Sequence, residues 1–119
     1  MRKILLIEDD EPTAQALGEL LELEGYAVRC VRNGADAIEL LHAYTPDVVL
    51  VDLQVPVMDG RSFIEHYRRR VRPAASVVVM SGRTDGSAIA SAVGADGYLR
   101  KPLETSDLLR TLSLALAVA

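Results

Sequence analysis

The stretch VVLVDLQVPVMDG, Val48 to Gly60, runs four apolar residues straight into an aspartate, Asp52. A proline, a second aspartate and a glycine follow. A short, near-continuous apolar run suits a strand buried on both faces, the usual state of a strand in a parallel sheet. A carboxylate at the end of such a strand needs a partner or an outlet. The rest of the chain has to show which it finds.

Working outward, the chain alternates two kinds of segment. KILLI (Lys3 to Ile7), YAVRCVR (Tyr26 to Arg32), VVLVD, SVVVM (Ser76 to Met80) and GYLRKP read as strands. Between them lie segments of helical spacing. In PTAQALGELLELEG the apolar positions are Ala14, Leu17, Leu20 and Leu21, and Gly25 stands at the C-terminus. NGADAIELLHAYTPD turns and then carries Ala37, Ile38 and Leu41 on one face, stopping before Pro46. GRSFIEHYRRR and the short SAIASAVG follow. The last helix is TSDLLRTLSLALA, with Thr105 or Ser106 expected as its N-cap. Five strands alternating with five helices predict an α/β fold, a parallel sheet covered on both faces.

Size and charge narrow the function. The 119 residues suit one domain over 1–119. A net charge of −4 argues against a nucleic-acid surface. Arg68, Arg69, Arg70 and Arg72 form the basic cluster and read as a solvated helix end. The single cysteine, Cys30, allows no internal disulfide, fits a reducing cytoplasm and reads as a small buried hydrophobe. No stretch reaches the length of a membrane span.

Ligands of open parallel sheets bind beyond the carboxyl ends of the strands. Those ends carry Glu8-Asp9-Asp10, Asp52, Ser81 and Lys101. Each has an ordinary reading when taken alone. The acids cap the next helix, Asp52 caps or turns, Ser81-Gly82 turns, and Lys101-Pro102 leads into a helix. Their coincidence at one edge is what counts. Close carboxylates require a cation or a proton. Hard oxygen ligands without histidine or cysteine favour Mg²⁺. An ammonium and a hydroxyl opposite them complete a site for an oxygen-rich anion, with phosphoryl the natural candidate. Asp52 is then a nucleophile able to form an aspartyl phosphate.

ILLIEDDEP, PDVVLVDLQVPVMDG, VVVMSGR and GADGYLRKP occur in that order over nearly the whole chain. Together they resemble the receiver domain of two-component response regulators. The resemblance implies a flavodoxin-like, doubly wound sheet in strand order 2-1-3-4-5 with five helices. It implies Asp52 as phosphoacceptor, Asp9 and Asp52 as Mg²⁺ ligands with Glu8 in support, and the Gln54 backbone carbonyl as a further ligand. Lys101 and Ser81 would bond phosphate oxygens, and the Lys101–Pro102 bond would be cis. Ser81 and Tyr98 would form the switch, reshaping the surface of the fourth helix, fifth strand and fifth helix. The implied phosphodonor is a histidine kinase or phosphotransfer protein, and the implied location is the cytoplasm. The chain would not be an enzyme beyond its own phosphoryl transfer and slow dephosphorylation.

One departure and three alternatives stand beside this. The segment Ser81 to Tyr98 is about two residues shorter than the family leads one to expect, so the fourth helix should be truncated or shifted. An aspartate-nucleophile phosphatase wants a second acid two residues after the nucleophile, where this chain has Gln54. A flavin carrier wants a phosphate-binding loop where this chain has EDDEPT. A receiver-like binding module without phosphorylation is the remaining alternative. No output domain follows the last helix, which leaves a stand-alone regulator and a piece of a longer chain both open. Leu108, Leu109, Leu112 and Leu116 should face the core. Leu114, Ala117 and Val118 mark a candidate homodimer or partner surface.

Overall fold

The computed structural model describes residues 1–71 and 73–117. Its elements alternate throughout: β1 (Lys3–Ile7), α1 (Glu11–Leu23), β2 (Ala27–Val31), α2 (Gly34–Leu40), β3 (Val48–Asp52), α3 (Gly60–Arg70), β4 (Ser76–Ser81), α4 (Gly86–Ala92), β5 (Gly97–Arg100) and α5 (Thr105–Ala117). All pairings are parallel, and the order is β2-β1-β3-β4-β5. The predicted doubly wound α/β fold and its strand order are therefore what the chain adopts.

Period-two alternation along the strands divides the apolar residues between two cores. Ile4, Leu6, Val48, Leu50, Val78 and Met80 face α1 and α5. Leu5, Ile7, Val49, Val51, Val77 and Val79 face α2, α3 and α4. Every residue of β3 is buried, which accounts for its unbroken apolar run. On the second side Phe63 and Tyr67 stack with centroids 5.5 Å apart. The Tyr67 hydroxyl accepts from the Ala75 N–H at 2.8 Å, tying α3 to the approach to β4.

Local signals explain several boundaries. Gly25 takes φ +94°, and its N–H donates to the Glu22 carbonyl while that of Tyr26 reaches back to Leu21. This closes α1 with the left-handed glycine its sequence offers. Asn33 and Asp59 accept from backbone N–H groups three residues on and so cap α2 and α3.

Three expectations need correction. Helix α2 ends at Leu40 rather than running toward Pro46: the His42 and Ala43 N–H groups donate to carbonyls three residues back, a tightening that ends the helix. Tyr44 beyond it lies under the cations of Lys3 and Arg29, at 5.5 and 5.4 Å from its ring. The Leu108 N–H donates to the Glu104 carbonyl, so Glu104 precedes α5, and neither Thr105 nor Ser106 is its cap. Cys30 is exposed, because β2 is the sheet's edge, where Cys30 lines an open surface with Ala14, Gln15 and Arg32.

On α5, Leu108, Leu112 and Leu116 are buried with Leu109 packed against them, while Leu114 and Ala117 face outward. Arg68 at the end of α3 pairs with Asp96 at 3.1 Å, and Arg69 and Arg70 are exposed. Arg72 and Val118 lie outside the described residues. Among the described residues no helix is long and apolar enough to cross a membrane.

Candidate functional site

The register of the central strands sets the site. Because β1, β3 and β4 are parallel and aligned, their last residues reach one edge together. Glu8 follows β1 directly, Asp52 ends β3, Ser81 ends β4 and Lys101 follows β5. Glu8, Asp52 and Ser81 are all buried. The first acidic cluster divides its work: Asp10 turns away and caps α1 by accepting from Thr13, while Glu8 and Asp9 stay at the edge.

A single ammonium joins the two buried carboxylates. Lys101 Nζ donates to Glu8 Oε1 at 2.6 Å and to Asp52 Oδ2 at 2.7 Å. The other Asp52 oxygen, Oδ1, accepts from the Gln54 N–H at 2.9 Å, while the Gln54 residue itself is exposed. Burial pushes Lys101 down, but its bonds to Asp52 and Glu8 outweigh this and hold its pKa above the usual 10.5. Burial pushes Glu8 above 4.5; the Lys101 bond pulls it back and the Asp52 charge adds to the rise.

Carboxylate oxygens of Glu8, Asp9 and Asp52 lie within 4.8 Å of one another. Three acids face one ammonium, so negative charge is in excess. Such a donor set fits a hard divalent cation such as Mg²⁺. The Lys101–Pro102 peptide bond is cis.

The hydroxyl partners sit on the β4–β5 side. Ser81 Oγ accepts from the Arg83 N–H at 3.0 Å, and Arg83 grips Asp85 through two bonds of 2.7 and 2.9 Å. Tyr98 lies on edge strand β5, half-buried against the α3/α4 core. Helix α4 has only seven residues. Glu8, Asp9, Asp52 and Lys101 thus form one cluster, and Ser81 and Tyr98 a neighbouring pair.

Two features of the site escaped the sequence. Gly60 packs against the backbone behind Asp52: a Cβ there would lie 2.5 Å from the Asp52 carbonyl oxygen and 2.8 Å from Leu53 Cα. Val57, in the same loop, holds φ +67° while 86% exposed. A β-branched residue rarely takes that conformation, and only neighbours fixed on both sides keep it there. The glycine that opens α3 was the only hint of either.

Comparison with known proteins matches this geometry. The family model for the response regulator receiver domain covers residues 4–113. The chain belongs to that family. Similar solved structures include a putative response regulator from Chloroflexus aurantiacus, 27% identical over 98% of both chains with a TM-score of 0.90. The signal receiver domain of a signal transduction histidine kinase from Syntrophus aciditrophicus is 25% identical, over 100% of this chain and 92% of that one, with a TM-score of 0.91. The chemotaxis response regulator CheY4 of Vibrio cholerae is 28% identical, over 97% and 98%, with a TM-score of 0.88.

Proposed function

We propose that the whole chain, residues 1–119, works as one receiver module that accepts a phosphoryl group on Asp52 from a phosphohistidine. The observation that carries this is the Lys101 ammonium shared between Glu8 and Asp52, with Asp9 completing the carboxylate set. A carboxylate oxygen of Asp52 attacks phosphorus. As the O–P bond forms, the donor's P–N bond breaks, and its electron pair returns to the imidazole, which takes up a proton. Lys101 follows the new charge from carboxylate to phosphate oxygen, and the Ser81 hydroxyl donates to another. Glu8, Asp9, Asp52 and the Gln54 carbonyl would hold Mg²⁺, which when bound neutralises charge on the transferring group.

A groove of about 680 Å³ lined by Pro12, Ala16, Leu17, Pro102 and Leu103 borders Lys101. It offers a histidine kinase or phosphotransfer protein apolar footing beside the nucleophile. The chemistry is the chain's own acceptance and slow loss of phosphate, with no external substrate turned over. We place this reaction, with its histidine donor, in the cytoplasm. Ser81 and Tyr98 then report the change through α4, β5 and α5.

The test is intact-protein mass after incubation with acetyl phosphate and Mg²⁺. One phosphoryl adduct is expected, dependent on Mg²⁺ and missing from Asp52→Asn. No adduct from acetyl phosphate or from a charged histidine donor would leave a binding module that works without phosphorylation.

A further inference from the structure

Gly86 opens α4, and its α-carbon rests on two side chains at once. A Cβ there would stand 2.8 Å from Ser81 Cβ, 2.9 Å from Ser81 Oγ and 2.8 Å from the Tyr98 hydroxyl. No ordinary side chain fits between them. The backbone at Gly86 is not in the left-handed region, so the glycine is needed for space and not for conformation. Glycine costs a helix interior about 1 kcal/mol relative to alanine, and less at a first position such as this one. By contrast a Cβ at Gly18, in α1, would meet nothing within 4 Å.

A second observation ties the same groups together through the backbone. Ser81 Oγ accepts from the Arg83 N–H, and the Gly86 N–H donates to the Arg83 carbonyl at 3.3 Å. The turn is thus closed onto Arg83 from both ends, and the Arg83–Asp85 pair clamps its outer side. Hydroxyl, turn and first turn of α4 form one hydrogen-bonded unit with Tyr98 against it.

We propose that Gly86 is the positioning residue for Ser81, coupling its hydroxyl and that of Tyr98 to the start of α4. This rests on the receiver reading and deepens it. When Ser81 Oγ leaves the Arg83 N–H for an oxygen on Asp52, its contact with Gly86 opens. The helix start and the Tyr98 hydroxyl then close the gap together. The helix moves with the hydroxyl because no side chain cushions the contact.

The experiment uses Gly86→Ala, Ser81→Ala and Tyr98→Phe, alone and in pairs, with Gly18→Ala as control. In urea, without phosphodonor, Gly86→Ala should lower the midpoint despite the better helix former, and Tyr98→Phe should recover part of the loss. With acetyl phosphate and Mg²⁺, Gly86→Ala should slow adduct formation several-fold. In the Ser81→Ala background it should change the rate little, since the effect passes through Ser81. Gly18→Ala should leave the rate alone. An unchanged midpoint and rate in Gly86→Ala would overturn the proposal. So would an equal rate loss with and without Ser81, which would mark a merely structural role. If Gly86→Ala does not fold, its pair with Tyr98→Phe decides: recovered folding supports the contact and continued failure refutes it. A wild-type protein that forms no adduct sinks the receiver reading, and the urea cycle then still tests the contact.

Discussion

Strands β3 and β4 lie side by side at the centre of the sheet, and each passes the chain to a helix at the same edge. The turn after β3 is fastened repeatedly. The Gly60 N–H donates to the Leu53 carbonyl, the Gly34 N–H to that of Met58, and Asp59 caps the Ser62 N–H at 2.8 Å. The eleven-residue α3 then buries Phe63, Ile64 and Tyr67. The turn after β4 leads to a seven-residue helix whose N-cap residue, Asp85, makes no side-chain cap bond. Its buried residues are only Gly86 and Ala90. Unequal anchorage of this kind is what the proposed switch needs, with one group held still and another free to move. Asp52 hangs on a turn bonded to another element through Gly34, Ser81 on one whose bonds are mostly its own.

Six substitutions, grouped in four tests, break or sharpen this contrast, with the tests ordered by their largest effect. Gly60→Ala should cost about 3 kcal/mol, because the obstacles are backbone atoms that cannot step aside. Gly86→Ala should cost less, about 2 kcal/mol, since the Tyr98 and Ser81 hydroxyls can yield although the Ser81 Cβ cannot. Equal urea midpoints for the two variants would erase the contrast.

Lys101→Met should cost about 2 kcal/mol, after discounting for the partial exposure of Lys101, because Glu8 and Asp52 are left buried without their cation. Added Mg²⁺ should return part of that in a thermal melt. The sign with pH follows from the raised Lys101 pKa. Its contribution is full below pH 10.5 and is lost as pH rises through the folded value. The variant should therefore lack that alkaline loss when both proteins are titrated.

Asp59→Ala should cost about 1 kcal/mol in chemical denaturation, the worth of a working cap. Asp85→Ala should cost less, having no cap bond to lose. Val57→Gly should raise stability by about 0.5 kcal/mol, as relief of the left-handed valine exceeds glycine's entropy cost. A melting temperature that falls instead would mean the loop does not strain Val57.

Much of this was legible in the chain because it is written locally. The apolar runs of β3 and β4 announce burial on both faces, Gly25 announces the end of α1, and strand-end polar residues fall at one edge once the strands are parallel. What stayed hidden depends on distant partners. Cys30 looks apolar in its run, yet its exposure follows from β2 lying at the edge. Helix α2 stops early beside a tyrosine held by cations from β1 and β2. Glu8 and Asp10 are neighbours in sequence, and only the fold sends one to Lys101 and the other to cap α1. Gly86 reads as a weak helix start until Tyr98 arrives from β5.

The two fully covered central strands also govern how the protein fails. Val48 to Val51 and Val77 to Met80 are wholly shielded from solvent. Neither run contains a charge, a proline or a glycine, so once uncovered each is a ready template for pairing between chains. Unfolded molecules at high concentration will precipitate faster than they refold. The working lifetime of the protein is then a rate, set by how seldom its helices lift from those strands.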